Sequence, residues 1–80
     1  MDICAGNIVR SGAGRDKGRY MLALEVSEKF ALVVDGKERK LCKPKRKNLK
    51  HLHPTKELAD LENTKTDAAI RRLLWKWNYG

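Results

Sequence analysis

A strict alternation of side chains between residues 20 and 26 constrains the fold of this chain more than any other feature. In YMLALEV, positions 20, 22, 24 and 26 share one face of an extended strand, and positions 21, 23 and 25 share the other. This pattern predicts a half-buried strand. After a three-residue turn, FALVV at residues 30–34 predicts a second one. We therefore expect an antiparallel sheet built from short strands that are neighbours in the sequence.

The dipeptide Asp35-Gly36 directly follows the second expected strand. It suits a type I′ hairpin turn, in which both central residues need a positive φ. A two-residue turn predicts that the next strand covers residues 37–42, and Pro44 is expected to end it.

This turn also fixes the register of the expected hairpin. Phe30 falls opposite Leu41, and both are expected on the core side as buried neighbours. Cys42 is expected to point to solvent. Arg39 falls opposite Leu32 on the core side, where its charged end is expected to reach past the rim of the barrel.

The remaining elements are read from local signals. Residues 3–10 predict a first strand, and residues 11–18 predict a polar loop with three glycines free to adopt positive φ. A short extended piece is expected over residues 48–53, before Pro54.

The end of the chain predicts helix instead of strand. Thr66 before Asp67 suits a helix start, and we expect a helix over residues 67–77. Four apolar residues recur at helical spacing on its inner face: Ile70, Leu73, Leu74 and Trp77. A further helical turn is expected over residues 56–62, with Leu58 and Leu61 facing inward.

These elements predict a mostly β fold. Four or five short strands followed by a helix, with no alternation of strands and helices, indicate a small open barrel with a C-terminal amphipathic helix. We expect a single domain, with the barrel over residues 1–53 and the helical appendage over residues 54–80 packed on it.

Positive charge is concentrated in one segment. The formal net charge is +8, and residues 37–50 hold eight of the 18 Lys and Arg residues together with a single acid, Glu38. A patch of this density favours polyanions such as RNA. The alternative is a solvated, lysine-rich loop that serves solubility.

The sequence lacks the patterns of an enzyme or a metal protein. It has no nucleophile signature and no phosphate-binding glycine loop at a helix start. Cys42, His51 and His53 lack the spacing of zinc ligands, and Cys4 and Cys42 are expected to remain thiols. We therefore expect no catalytic activity, no metal and no cofactor.

Membrane segments are not expected either. No apolar run approaches the ~18 residues that span a bilayer. The first ten residues lack the features of a signal peptide. These observations predict a soluble, cytoplasmic protein.

The glycine loop and its flanking strands resemble a known family. GNIVRSGAGRDKGRYMLALEV, followed by a strand, an Asp-Gly turn and a lysine-rich segment, is similar to the KOW motif of ribosomal and transcription-elongation proteins. The resemblance covers residues 6–53, with AGRDKG and LVVDG as its most specific parts. The broad KOW pattern has a second glycine three residues after the Lys-Gly pair, and this sequence departs from it with Met21. The departure argues against the NusG-like branch and favours the branch typified by the archaeal and eukaryotic large-subunit ribosomal protein number fourteen and its short bacterial relatives. The resemblance implies an SH3-like barrel that binds RNA, commonly on the large ribosomal subunit.

Two groups of cations are the candidate phosphate contacts. In the glycine loop they are Arg15, Lys17 and Arg19, beside backbone N–H groups that can approach phosphates. In the basic segment they are Lys37, Arg39, Lys40, Lys43, Lys45, Arg46, Lys47 and Lys50. The alternative is that the glycines only form a tight turn and the loop cations are solvated. Because Tyr20 and Phe30 are expected in the core, we expect recognition by RNA shape and backbone.

The expected helix leaves Trp75 outside its apolar face, next to Arg71 and Arg72. An aromatic ring beside two cations suits stacking on an unpaired base or anchoring of a partner protein. The alternative is that Trp75 covers the arginine stems or the flank of the barrel.

Together these features predict a non-enzymatic RNA-binding module that associates with ribosomal RNA of the large subunit and is monomeric when free. The alternative is a protein-interaction module, because SH3-like barrels also hold partner peptides, here of ribosomal or transcription proteins. Membrane binding is disfavoured because the basic segment has no apolar partner face.

Overall fold

Five antiparallel strands form one sheet, and a single α-helix follows them. The computed structural model describes residues 2–80. The elements are β1 (Asn7–Ser11), β2 (Tyr20–Val26), β3 (Phe30–Val34), β4 (Lys45–Asn48), β5 (Leu52–Leu58) and α1 (Asp67–Asn78). Short 3₁₀ turns cover Leu49–His51 and Leu61–Asn63. The strand order β4-β3-β2-β1-β5 is that of an SH3-like open barrel with β4 and β5 at its edges, so the expected fold class is confirmed.

The sheet is buried on both faces. One face forms the barrel interior, with Val9, Met21, Ala23, Ala31, Val33 and Leu52. The other face packs against α1, with Ile8, Leu22, Val34, Ile70 and Leu74. The expectation that β2 is half-buried is therefore wrong, because Met21 and Ala23, on the face that was expected to meet solvent, line the barrel interior.

A bulge in β2 changes the face presented by the end of this strand. The pairing of β2 with β3 shifts between Ala23 and Glu25, which leaves Leu24 as the extra residue. Leu24 packs on the helix side, whereas Val26 packs against the barrel interior. An extra residue reverses the alternation, so the period-2 pattern placed Val26 on the wrong face.

The hairpin expected at Asp35-Gly36 is wrong, because a longer loop over residues 35–44 takes its place. Gly36 has a φ of +78°, but Asp35 has no positive φ, which a type I′ turn requires. Instead, Asp35 Oδ1 accepts hydrogen bonds from the backbone N–H groups of residues 37–39 at 2.9, 3.0 and 2.8 Å. The carboxylate thereby bends the chain into a compact turn, and no strand forms over residues 37–42.

The register between β3 and its neighbour differs accordingly. Phe30 lies opposite Asn48, and Leu32 lies opposite Arg46. Leu41 packs on the helix side of the sheet, and Phe30 is only half-buried. The expected pair of buried neighbours, Phe30 and Leu41, is therefore wrong.

Other boundaries also move. β1 begins at Asn7, four residues later than expected. β5 continues past the barrel boundary expected at residue 53, so residues 56–58 are strand instead of helix. Leu58 is 62% exposed, whereas Leu61 packs inward as expected. Cys42 is exposed as expected, although it lies in a loop.

The helix agrees with its sequence signals. Thr66 Oγ1 accepts a hydrogen bond from the N–H of Ala69 at 3.1 Å and caps the first turn. Ile70 and Leu74 are fully buried on the expected inner face. At the other end, the Asn78 side chain accepts from the Tyr20 N–H at 2.8 Å and donates to the Tyr20 carbonyl at 3.1 Å. Among the described residues, no helix is long and apolar enough to cross a membrane.

Candidate nucleic-acid interface

The glycine loop and β4 face each other across a groove of about 300 Å³. Its lining comes from two distant parts of the sequence: Ala13, Gly14, Lys45, Arg46, Lys47, Asn48 and His51. Gly14 has a φ of +77°, in the left-handed region that glycine adopts without a steric penalty. A Cβ there would lie 3.5 Å from Lys47 Nζ, so the loop backbone runs close to the basic strand.

Most of the expected phosphate contacts are exposed. They are Arg15, Lys17, Lys37, Lys40, Lys43, Lys45, Arg46 and Lys50. Within residues 2–80, none of these eight forms a salt bridge with an acidic side chain. Their ammonium and guanidinium groups are donors that match phosphate oxygens.

Two of the expected contacts, the partly exposed Arg39 and the buried Lys47, are paired with a buried acid. Asp16 is 4% exposed, and its Oδ2 lies 3.3 Å from Arg39 Nη2 and 3.7 Å from Lys47 Nζ. Lys47 is only 9% exposed, and its ammonium also donates to the Ala13 carbonyl at 2.9 Å. Both cations therefore fasten the glycine loop to the rest of the basic segment, and Lys47 forms the inner wall of the groove.

A third expected contact, Arg19, is paired with Asp35 at 2.9 Å. This hydrogen bond is the main reason why the pKa of Arg19 is raised above its usual value. Burial acts to raise the pKa of Asp35, but hydrogen bonds from the backbone N–H groups of Arg39 and Lys37 and from the Arg19 side chain outweigh it. The net result is a lowered pKa for Asp35. The Asp35 carboxylate is thus held ionised within the turn that supports the basic loop.

Phe30 supports a side chain of the groove. The guanidinium of Arg46 lies 4.4 Å from the centroid of the Phe30 ring, within the range of a cation–π contact. Phe30 and Arg46 are diagonal neighbours in the β3–β4 ladder, since Arg46 pairs with Leu32. Sequence analysis missed this role because the expected hairpin paired Phe30 with Leu41.

A second hollow, of about 370 Å³, lies at the C-terminal end of α1. Its lining residues are Arg19, Asp35, Lys37, Arg71, Leu74, Trp75, Asn78 and Tyr79. Trp75 is 61% exposed, as its position outside the apolar face of the helix predicts. Its ring contacts Tyr79, with the centroids 4.6 Å apart, and Arg72 does not line the hollow. Tyr79 was missed because the helix was expected to end at residue 77, although an i, i+4 aromatic pair is a readable signal.

The side chains that could bind a metal are dispersed over the described part of the chain. No group of three or more His, Cys, Asp or Glu side chains is placed to hold a metal ion within residues 2–80. Cys4 and Cys42 are both free and exposed. His51 lines the groove beside Lys45 and Arg46, where its imidazole is a further donor or acceptor.

Comparison with known proteins gives a consistent set of relatives. Three curated sequences from Methanococcus maripaludis, strains C6, S2 and C5, are each 32% identical to this chain over 69 residues. Each is named large ribosomal subunit protein eL14, and the match covers 86% of this chain and 84% of the relative. No family model matches the chain.

Proposed function

Because this chain belongs to the eL14 family of large ribosomal subunit proteins, we propose that it is a non-enzymatic, ribosome-associated protein that binds ribosomal RNA in the cytoplasm. The groove between the glycine loop and β4 is the primary contact. Lys45 and Arg46 line it and hold the phosphate backbone, and the other exposed cations of the loop and the basic segment extend the contact beyond it.

One observation carries this proposal: within residues 2–80, exposed cations without acidic partners line a groove whose other side is the backbone of the glycine loop. Lys45 and Arg46 line the groove, and Lys50 follows them in the adjoining 3₁₀ turn. Gly14 offers no side chain that would keep a phosphate away from the loop backbone. An RNA backbone that enters the groove releases counterions from these cations, which favours binding.

The buried acid Asp16 makes the groove rigid before RNA arrives. It holds Arg39 and Lys47 in place, and Lys47 in turn holds the carbonyl of Ala13. Neither wall has to be ordered on binding, so less conformational entropy is lost. The exposed cations of the groove remain available because Asp16 is engaged with Arg39 and Lys47.

Recognition in the groove is by backbone and shape. Its lining donors match phosphate oxygens, and it presents no Phe, Tyr or Trp ring for a base to stack on. RNA is expected to be selected by the path of its phosphates, with little dependence on base sequence in this part of the interface.

The experiment compares two double variants that remove the same charge. Lys45→Ala/Arg46→Ala empties the groove of its exposed cations. Lys56→Ala/Lys65→Ala removes two exposed cations that do not line the groove. Affinity for large-subunit ribosomal RNA is measured against salt, where each lost phosphate contact reduces the slope of log K against log salt by about 0.7–0.9.

The groove variant should lower affinity and reduce the slope by about 1.4–1.8, with the control close to the unmodified protein. Equal slopes for the two double variants would show that binding is non-specific electrostatics spread over the surface. A second measurement follows co-sedimentation with large ribosomal subunits. Retention of the groove variant on subunits at wild-type levels would favour anchoring by ribosomal proteins and contradict the RNA model.

A further inference from the structure

We propose that the hollow at the end of α1 binds one unstacked nucleotide of the RNA, with its base on Trp75 and Tyr79 and its phosphate at Lys37 and Arg71. This inference rests on the proposed function. It adds a second subsite of different chemistry, which contacts a base where the groove contacts only backbone.

The aromatic wall is the first observation. Within residues 2–80, three large apolar side chains are conspicuously exposed, Leu58, Trp75 and Tyr79, and two of them line this hollow. Their rings are 4.6 Å apart and inclined by 43°, so they form a shallow cradle instead of a closed stack. Large exposed aromatic surfaces of this kind mark binding sites, and aromatic rings accept any base because every base has a π face.

The cations at the rim are the second observation. Lys37 Nζ lies 3.5 Å from the Tyr79 hydroxyl and 5.7 Å from the centroid of the Tyr79 ring. Arg71 Nη1 donates to the Gly36 carbonyl at 2.7 Å. This hydrogen bond fixes the guanidinium and leaves its other N–H groups free to donate to a phosphate. The Arg19–Asp35 pair in the same lining has no net charge, so the field over the aromatic wall comes from Lys37 and Arg71.

The size and combined chemistry favour a nucleotide. A volume of about 370 Å³ lies within the range of small-ligand sites, roughly 300–1,000 Å³. A nucleotide has a flat π system and an anion a few bonds away, which match the aromatic wall and the cationic rim together. An acidic peptide would satisfy the cations but leave the two rings exposed.

The hollow adjoins one end of the glycine loop, and the groove adjoins the other. Arg19 and Tyr79 line both the hollow and a neighbouring depression, whose other residues include Lys17 and Gly18. The opposite end of the same loop, at Gly14, lines the groove. A single RNA strand that follows the loop from the groove would pass Lys17 before the hollow.

The hollow is also held rigid. The Asn78 side chain makes two hydrogen bonds to the backbone of Tyr20, which fixes the last turn of α1 against β2. On the facing side, Gly36 is packed so closely on α1 that a Cβ would lie 2.4 Å from the Asp67 carbonyl oxygen. Both walls are fixed by contacts within the protein, as expected of a largely pre-formed binding site.

The test follows the fluorescence of Trp75 itself. Trp77→Phe retains an aromatic ring against Tyr20 and leaves Trp75 as the only tryptophan. Its fluorescence is followed on addition of hexa-adenylate, of an abasic ribose-phosphate hexamer of equal charge, and of poly-glutamate. We expect strong quenching by hexa-adenylate and little by the other two.

Affinities in the otherwise unmodified chain give an independent measurement. Trp75→Ala should weaken hexa-adenylate binding by about 5- to 150-fold, the range for loss of one base-aromatic stack, and should leave binding of the abasic hexamer unchanged. Leu58→Ala is the matched control, because Leu58 is equally exposed but does not line the hollow.

The outcomes separate this inference from the proposed function. If Trp75→Ala leaves hexa-adenylate affinity intact while Lys45→Ala/Arg46→Ala lowers it, the nucleotide subsite is overturned and the groove stands. Quenching by poly-glutamate but not by hexa-adenylate would make the hollow a protein contact and also overturn the inference. If large-subunit ribosomal RNA itself does not bind, the proposed function fails.

Discussion

Lys45 and Lys47 lie two residues apart in the same basic run, yet the structure assigns them opposite roles. Both point from β4, but Lys45 is exposed and Lys47 is 9% exposed. The decisive perturbation is Lys47→Met, which removes the ammonium and keeps most of the aliphatic stem. Lys45→Met is the matched control, with the same chemical change on the same strand.

The magnitude follows from the two contacts that Lys47→Met removes. The Ala13 carbonyl loses its 2.9 Å hydrogen bond, and Asp16 loses one of its two cations, with Arg39 remaining. A hydrogen bond to a charged group contributes about 1.5–3 kcal/mol, and we expect the free energy of unfolding to fall by that amount. At about 4–8 °C per kcal/mol for a domain of this size, the melting temperature should fall by roughly 6–24 °C. Lys45→Met should change stability by no more than about 0.5 kcal/mol.

Urea denaturation of the two variants, followed by far-UV circular dichroism, gives the comparison directly. Lys47→Met should lower the urea concentration at the midpoint of unfolding. The dependence of the unfolding free energy on urea should not change, which indicates lost stability without a change in the surface exposed on unfolding. RNA affinity, measured well below the melting temperature, should fall more for Lys45→Met than for Lys47→Met. Equal midpoints for the two variants would refute the buried role of Lys47 and, with it, the account of how the groove is built.

Three further predictions concern the loop and the core. Gly36→Ala should destabilise the protein more than Gly18→Ala in thermal melts: both glycines have positive φ, but a Cβ at Gly36 meets the α1 backbone and one at Gly18 meets nothing within 4 Å. Because the pKa of Asp35 is lowered in the folded state, its contribution to stability is present above the usual carboxyl pKa of about 4 and is lost as the pH falls further. Asp35→Asn should therefore lower the melting temperature at pH 7, and the melting temperature of this variant should decline less steeply in acid than that of the unmodified protein. Phe30→Ala should cost less than the roughly 3–5 kcal/mol of a buried phenylalanine, and less than Leu74→Ala in the core, when unfolding free energies are compared.

The elements that sequence alone located well are those with local signals. β2, β3 and α1 begin at the expected residues. The signals that predict them, alternating side chains and a helix N-cap, act over a few neighbouring positions. The dipeptide Asp35-Gly36 carried an equally clear local signal, but the hairpin that it predicted does not form. Hydrogen bonds from the Asp35 side chain to the following backbone compete with a hairpin, and the packing of Gly36 on α1 favours them. That packing depends on a helix thirty residues later, which a reading of neighbouring residues does not include.

The candidate interface shows the same division between local and distant information. The basic segment was visible from composition, but sequence could not distinguish cations that face solvent from those that face an acid. Asp16 and Asp35 come from residues 1–36, which carry five basic and five acidic residues. Asp16 nevertheless pairs with Arg39 and Lys47 of the basic segment, and Asp35 pairs with Arg19. Each acid is buried beneath a basic loop and organises the backbone that carries the exposed cations. The acids thus cancel charge that would otherwise repel within the folded protein, and the cations left over lie on the surface, where an RNA backbone can neutralise them.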